Sequence, residues 1–167
     1  MAKTSPRRPR PAKRQKQKRS AAPTSVAGTG QIRYIESSAL VAAFLEGDSS
    51  ARIAIEADPC VTSALTFAEA SRAIIRARAS GRVSADREQE MIRGLRAIER
   101  RWFIVEITPA VLARVGMRFP VEPIRTLDAI HLATAEFLGE PPPLVTIVTR
   151  DARVAANARA LGYAVED

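Results

Sequence analysis

The chain has 167 residues and one cysteine, which allows one domain with its own core and excludes an internal disulfide framework or a cysteine-built zinc site. Its hydrophobic fraction of 46% is typical of a globular protein, and its aromatic fraction of 5% argues against a base-stacking platform for single strands. The formal charge of +8 comes from one segment. Residues 1–30 hold nine lysines and arginines and no acid, which leaves 17 of the 26 basic residues against all 18 acidic ones.

This first segment, residues 1–30, also carries four prolines and few large apolar side chains. It cannot bury enough surface to offset the entropy of ordering, so we expect a disordered tail. Such a polycation either raises affinity for nucleic acid through counterion release or is a solubilising extension or an over-long translation start.

The tail lacks the apolar region of a signal peptide, and no stretch of the sequence approaches the ~20 apolar residues that span a bilayer. We therefore expect a cytoplasmic protein with no membrane contact.

From residue 31 onwards, β-branched or apolar runs alternate with segments of helical periodicity. In chain order the pattern predicts a strand at 32–35, helices at 38–46 and 49–57, a strand at 60–63, helices at 65–79 and from 84, a strand at 102–107, a helix from 109, a helix at 127–138, a strand at 144–149, a helix at 151–161 and a strand at 163–165. This alternation predicts one domain, 31–167, with a parallel sheet and helices on both faces.

Some element ends carry local signals of their own. Ser38 and Asp151 are suited to the N-cap position of a helix, and Gly47 is suited to the residue that ends one. In the second predicted helix, Ile53 and Ile55 are expected to lie near the core.

Four carboxylates are candidates for the carboxyl end of this sheet. Glu36 follows the first strand directly and Asp151 follows the apolar strand at 144–149, while Glu69 and Asp128 lie near the starts of their helices. In open parallel sheets, ligands bind in the crevice beyond the carboxyl ends of the strands.

Clustered carboxylates repel each other, and a divalent cation relieves this repulsion. Magnesium held by carboxylates activates water for attack on a phosphodiester, so the pattern indicates phosphoryl chemistry on nucleic acid. Taken singly, the acids have simpler explanations. Asp151 and Asp128 suit helix starts, and Glu69 can pair with Arg72 at i+3. Glu36 has no routine structural role.

Four segments match known sequence blocks in order and at the right intervals. They are Tyr34–Leu40, Ser63–Arg72, Leu127–Ala135, which matches almost letter for letter, and Val148–Arg153, with Gly162 at the expected distance. In these blocks the sequence resembles the PIN-domain family and, within it, the VapC-type toxins. The resemblance covers residues 31–167.

The resemblance implies a Rossmann-like three-layer α/β/α sandwich with a central parallel sheet. It also implies a metal-dependent ribonuclease that cleaves RNA, acts as the toxin of a type II toxin–antitoxin pair, and has a cognate antitoxin and a second copy of itself as partners. The residues implied to hold Mg²⁺ or Mn²⁺ are Glu36, Glu69, Asp128 and Asp151. Ser38 and Thr149 are candidates for holding a water or a phosphate oxygen. Arg125, which lies just before Asp128, is a candidate for contact with an RNA phosphate or with an acid of its own domain.

The sequence departs from the family at its first acid, which is usually aspartate and here is Glu36. The extra methylene is expected to move the carboxylate outward by ~1.5 Å, about one covalent bond. Because magnesium is strict about geometry, such a site favours manganese, binds through a water or turns over slowly. His131, the only histidine, is expected to have a structural or peripheral role, although metal ligation stays open.

Two other functions also stay open. One is a PIN-fold nuclease of RNA processing that has no antitoxin. The other is a degenerate PIN fold that binds RNA or protein without cutting, for which the glutamate at position 36 is the support. A nucleotide-binding protein is disfavoured, because no glycine-rich loop follows the first strand.

Overall fold

The computed structural model describes residues 31–57 and 59–167, so the predicted tail at 1–30 lies outside the described residues. In chain order the elements are β1 (Ile32–Ile35), α1 (Ser37–Val41), a π-helical turn (Ala42–Glu46), α2 (Ser49–Glu56), β2 (Cys60–Ser63), α3 (Thr66–Ala79), α4 (Ala85–Glu99), β3 (Phe103–Val105), α5 (Pro109–Val115), α6 (Thr126–Glu136), a 3-10 turn (Pro142–Leu144), β4 (Val145–Val148), α7 (Ala152–Ala160) and β5 (Ala164–Glu166). In this part of the chain, no helix combines the length and apolar character that crossing a membrane requires.

The strands form one five-stranded sheet in the order β3-β2-β1-β4-β5, and every neighbouring pair is parallel. The chain starts at the centre, winds to one edge through β2 and β3, and returns to add β4 and β5 on the other side. The direction of winding therefore reverses between β1 and β4, where Ile35 pairs with Val148. The crevice beyond such a reversal is the usual ligand site of an open α/β sheet, and Glu36 and Thr149 leave the sheet there.

Helices cover both faces of the sheet, as predicted. Tyr34 and Ile35 are neighbours in β1 but belong to different hydrophobic cores, because successive side chains of a strand point to opposite faces. The Ile35 core packs against α1, α2, α3 and α4, and the Tyr34 core packs against α5, α6 and α7. This arrangement confirms the three-layer α/β/α sandwich.

Most helix ends follow their local chemistry. Gly47 adopts a left-handed conformation, φ 73°, and ends the π-helical turn, while Asp151 caps α7 by accepting hydrogen bonds from two backbone N–H groups. The start of α1 differs from the prediction. Its N-cap is Glu36 rather than Ser38, because the glutamate side chain accepts a hydrogen bond from the backbone N–H of Ser38.

The predicted burial of α2 is only half correct. Ile55 is buried in the first core, whereas Ile53 is 71% exposed. The two residues are two positions apart, and a helix turns through about 200° over that interval, so they cannot both face the sheet. The prediction for Ile53 was therefore wrong.

Candidate metal centre

The carboxylate of Glu36 is held at the point where the chain leaves β1. Its Oε2 atom accepts hydrogen bonds from the Ser38 backbone N–H at 3.0 Å, from the Ser38 hydroxyl, and from the Thr149 hydroxyl at 2.9 Å. Its Oε1 atom accepts a hydrogen bond from the Ser37 hydroxyl at 2.6 Å. We call Ser37, Ser38 and Thr149 the hydroxyl cradle. Glu36 is 4% exposed, so its longer side chain turns back into this cradle instead of projecting outward as expected.

The hydroxyl cradle is fixed by the backbone that follows β4. The Ser38 hydroxyl oxygen accepts a hydrogen bond from the Arg150 N–H at 2.7 Å, and the Thr149 hydroxyl oxygen accepts one from the Asp151 N–H at 3.0 Å. These contacts tie the ends of β1 and β4 together across the switch point. Ser38 and Thr149 therefore position Glu36, and their predicted contact with a water or phosphate oxygen stays a prediction.

Glu69 and His131 approach Glu36 from opposite faces of the sheet, on α3 and α6. The Nε2 atom of His131 lies 2.7 Å from Oε2 of Glu69 and 3.7 Å from Oε1 of Glu36. Because an ionised carboxylate only accepts hydrogen bonds, this Nε2–H donates to Glu69. One ligand atom from each of these three residues lies within 4.8 Å of the other two. We call Glu36, Glu69 and His131 the inner triad.

Tyr34 lies behind the inner triad, with its hydroxyl 3.3 Å from Nδ1 of His131. Burial raises the pKa of the Tyr34 phenol well above its ordinary value, and the negative charge of Glu36 raises it further. The phenol is therefore neutral at physiological pH, and it adds a hydroxyl but no charge next to the imidazole ring.

Asp128 and Asp151 form a second cluster, which we call the outer pair. Asp128 lies in the first turn of α6 and Asp151 caps α7, and the guanidinium of Arg153 contacts both. Its Nε lies 3.3 Å from Oδ2 of Asp128, and a terminal nitrogen lies 3.2 Å from Oδ2 of Asp151.

Burial raises the pKa of the Asp128 carboxyl above its ordinary value, and the negative charges of Asp151 and then Glu36 raise it further, while Arg153 opposes them. The negative charge of Glu36 in the inner triad therefore contributes to the raised pKa of Asp128 in the outer pair.

The structure brings the predicted site residues to one end of the sheet in two groups. Glu69 contacts His131 instead of forming the alternative pair with Arg72. The spacing of Asp128 and His131 places both on one helix face, but it gives no signal for the contact between His131 and Glu69, which lies on another helix. Arg125 is exposed at the N-cap of α6, and its predicted contact with phosphate stays a prediction.

The donor set of the inner triad fits one divalent cation. Ligand atoms on opposite sides of a magnesium ion lie about 4 Å apart. The candidate ligand atoms of the inner triad lie within 4.8 Å of one another, so their side chains need to move together by less than about 1 Å to reach that separation. The hydroxyl cradle holds three of its four hydrogen bonds on Oε2 of Glu36, and Oε1 is the atom that faces His131. The site thus offers carboxylate oxygens, which magnesium and manganese prefer, beside an imidazole N–H that donates to one of them.

Comparison with known proteins identifies relatives over most of the chain. The sequence model of the PIN domain family matches residues 33–160. Ribonuclease VapC35 of Mycobacterium tuberculosis (strain CDC 1551 / Oshkosh) is 34% identical over 144 residues, covering 79% of this chain and 93% of the relative. Ribonuclease VapC46 of Mycobacterium tuberculosis (strain ATCC 25618 / H37Rv) is 37% identical over 135 residues, covering 79% and 94%.

One solved structure supports the same fold. The crystal structure of VapBC2 from Rickettsia felis bound to a DNA fragment from their promoter matches with a TM-score of 0.52 at 13% identity. The match covers 81% of this chain and 97% of the matched chain. At this level of identity the likeness establishes a common fold and nothing further.

Proposed function

This chain belongs to the PIN-domain family, and from that premise we propose that it is an endoribonuclease dependent on a divalent metal ion. The observation that carries the proposal is the inner triad, where two carboxylates from different elements meet at the switch point of a parallel sheet. Two relatives that bear the name ribonuclease support RNA as the substrate. Such an activity belongs in the cytoplasm.

In this proposal Glu36 and Glu69 hold the ion, and Asp128 and Asp151 complete the set of catalytic acids. A bound Mg²⁺ or Mn²⁺ supplies a water of lowered pKa and stabilises charge on the phosphodiester. The hydroxyl cradle anchors Glu36 mainly through Oε2, so Oε1, which faces His131, is the atom that would hold the ion. The Nε2–H of His131 orients the Glu69 carboxylate, as hydrogen bonds to metal-ligating carboxylates commonly do. Arg125 is our candidate for contact with an RNA phosphate.

The test of this proposal is Glu69→Gln, which keeps the size of the side chain and removes its charge. We expect the parent to cleave RNA with Mn²⁺ or Mg²⁺ and to stop when a chelator is added. In the variant, cleavage falls about 1,000-fold, because the ion supplies several kcal/mol of transition-state stabilisation. Glu90→Gln is the control, since Glu90 is exposed on α4 and pairs there with Arg87.

Melting temperature provides a second measurement that does not depend on cleavage. An ion that binds only the folded state stabilises it by mass action, so the parent should melt higher with Mn²⁺ and Glu69→Gln should respond far less. A folded parent that neither cleaves RNA nor responds to Mn²⁺ would favour the non-cleaving alternative.

We also propose that the enzyme is the toxin of a toxin–antitoxin pair. The VapC names of the relatives and the VapBC2 structure support this partner. We expect expression of the chain to arrest growth, and co-expression of a small protein from an adjacent reading frame to restore it. Growth arrest that the partner relieves and that is also lost in Glu69→Gln ties both effects to the same centre. Arrest that no neighbouring product relieves would favour an RNA-processing nuclease.

The protein's own assembly can be tested by sedimentation. Two large apolar side chains, Leu112 in α5 and Met117 just beyond its end, are 53% and 65% exposed. Exposed apolar residues of this size support a surface that a second copy covers, and we propose a homodimer. A monomer at micromolar concentration would contradict it.

For the predicted basic tail, residues 1–30, we propose a role in RNA affinity. Its removal should weaken RNA binding and reduce the dependence of affinity on salt, because up to nine phosphate-contacting cations are lost. An unchanged salt slope would show that this segment does not contact RNA.

A further inference from the structure

Arg153 occupies the space between the two carboxylates of the outer pair. Its guanidinium lies within hydrogen-bonding distance of Oδ2 of Asp128 and of Oδ2 of Asp151, which belong to different helices. An arginine side chain is always protonated in a protein, so this positive charge is permanent. The guanidinium of Arg153 therefore bridges two carboxylates, whereas an ordinary surface ion pair involves one.

The geometry leaves Asp151 fully engaged. Its Oδ1 atom accepts hydrogen bonds from the backbone N–H groups of Arg153 and Val154, and its Oδ2 atom contacts the guanidinium of the same Arg153. Each carboxylate oxygen thus already has a donor of its own. A divalent ion placed on Oδ2 would also meet a unit positive charge at contact distance, and at such distances like charges repel strongly.

The inner triad differs in the charge of its contacts. The groups that contact Glu36 are three hydroxyls, a backbone N–H and the imidazole of His131, and the group that contacts Glu69 is the same imidazole. No lysine or arginine is among these contacts in the described part of the chain. A divalent ion is thus opposed by a fixed cation at the outer pair and not at the inner triad.

Resting on the proposed metal-dependent activity, we propose that Arg153 acts as the permanent counter-cation of Asp128 and Asp151. It excludes a second divalent ion, so this centre binds a single ion at the inner triad. Asp128 and Asp151 would then act through their negative charge, with Arg153 bound between them.

The test is the number of Mn²⁺ ions bound per protein, measured from the loss of the free-ion signal in electron paramagnetic resonance. The parent should bind one ion, and Arg153→Gln should bind two, since the outer pair then lacks its cation. Arg159→Gln is the matched control: it removes the same charge from the same helix, and Arg159 pairs with Asp167 rather than with a proposed catalytic acid. It should bind one ion.

Two more variants separate the loss of the Arg153 charge from an effect of the substitution on folding. Arg153→Lys keeps the positive charge and should bind one ion. Combining Arg153→Gln with Asp128→Asn removes one acid of the pair and should return the number from two to one. A parent that binds two ions, or an Arg153→Gln protein that still binds one, overturns the inference. Two ions with intact cleavage leaves the ribonuclease proposal standing, whereas no ion and no cleavage overturns both.

Discussion

Glu36 and Asp128 are both largely buried acids at the carboxyl end of the sheet, but the groups that contact them differ in charge. Glu36 accepts four hydrogen bonds from neutral donors in the hydroxyl cradle and the adjoining backbone. Asp128 and its partner Asp151 instead face the guanidinium of Arg153. Neutral donors satisfy the oxygens of a carboxylate and leave its charge in place, whereas an arginine offsets that charge.

This difference in contacts suits Glu36 and Asp128 to different functions. A carboxylate surrounded by hydroxyls keeps its attraction for a cation, and its position is already fixed before the cation arrives, which lowers the entropy lost on binding. A carboxylate paired with arginine has part of its charge offset without any added ion. The inner triad is thus suited to binding metal, and the outer pair is suited to holding negative charge near it.

The largest effect we expect in the outer pair comes from Asp128→Asn. The variant keeps the side-chain size and can still accept from Arg153, but it removes one of the four proposed catalytic acids. RNA cleavage with saturating Mn²⁺ should fall about 100-fold or more, a loss of roughly 3 kcal/mol of transition-state stabilisation. Cleavage equal to that of the parent would show that the outer pair takes no part in the chemistry.

The same substitution should change stability with a definite pH dependence. Because the pKa of Asp128 is raised in the folded protein, ionising this carboxyl destabilises the fold. The penalty is absent below the ordinary pKa of 3.8 and is complete once the pH exceeds the raised value. Metal-free Asp128→Asn should therefore melt higher than the parent at pH 7.5, and the difference should shrink toward pH 4. A difference that is constant with pH would contradict this cause.

A smaller effect is expected when the hydroxyl cradle is altered. Thr149→Val keeps the shape of the side chain but removes the donor to Oε2 of Glu36 and the acceptor for the Asp151 N–H. Mn²⁺ affinity should fall about 10- to 100-fold, and stability should fall by roughly 1–3 kcal/mol. Thr146→Val is the control, because it makes the same change within β4, where Thr146 pairs with Arg33 and Ala164 instead of contacting Glu36. Equal Mn²⁺ affinity in both variants would show that the hydroxyl cradle does not contribute to metal binding.

The smallest effect is expected from Glu36→Asp, which keeps the charge and restores the ligand usual for the family. Aspartate is itself a good N-cap, so the start of α1 should persist. Cleavage should stay within about tenfold of the parent, and the ratio of the rate with Mg²⁺ to the rate with Mn²⁺ should rise, because magnesium is the stricter ion. A loss as large as that of Glu69→Gln would show that the extra methylene is required for the cradle contacts.

The sequence was sufficient for the features that depend on local chemistry. The end of β1 at Glu36, the cap of α7 at Asp151 and the helix end at Gly47 each follow from residues within a few positions. The order of strands and helices also predicted the parallel sheet. These features need no knowledge of distant contacts.

The contacts inside the centre were less accessible to sequence reasoning. His131 meets Glu69 across 62 positions of sequence, and its role depends on α3 and α6 lying on opposite sides of the sheet. The bridge from Arg153 to Asp128 likewise joins two helices, and spacing along one helix does not reveal it. Ser37 and Ser38 adjoin Glu36, but the cradle around its inward-turned carboxylate is completed only by Thr149, 113 positions away.

The hydrogen bond between Thr149 and Glu36 joins residues 113 positions apart, and this separation bears on how the protein is synthesised. A ribosome releases a chain from its N-terminus first, at about 5–20 residues per second. Glu36 and Glu69 have therefore emerged for several seconds before β4 exists to pair with β1. We expect the nascent chain to be inert toward the RNA around it, since the cradle closes only when translation is nearly complete. A fragment that ends before β4 should be harmless to the cell that makes it.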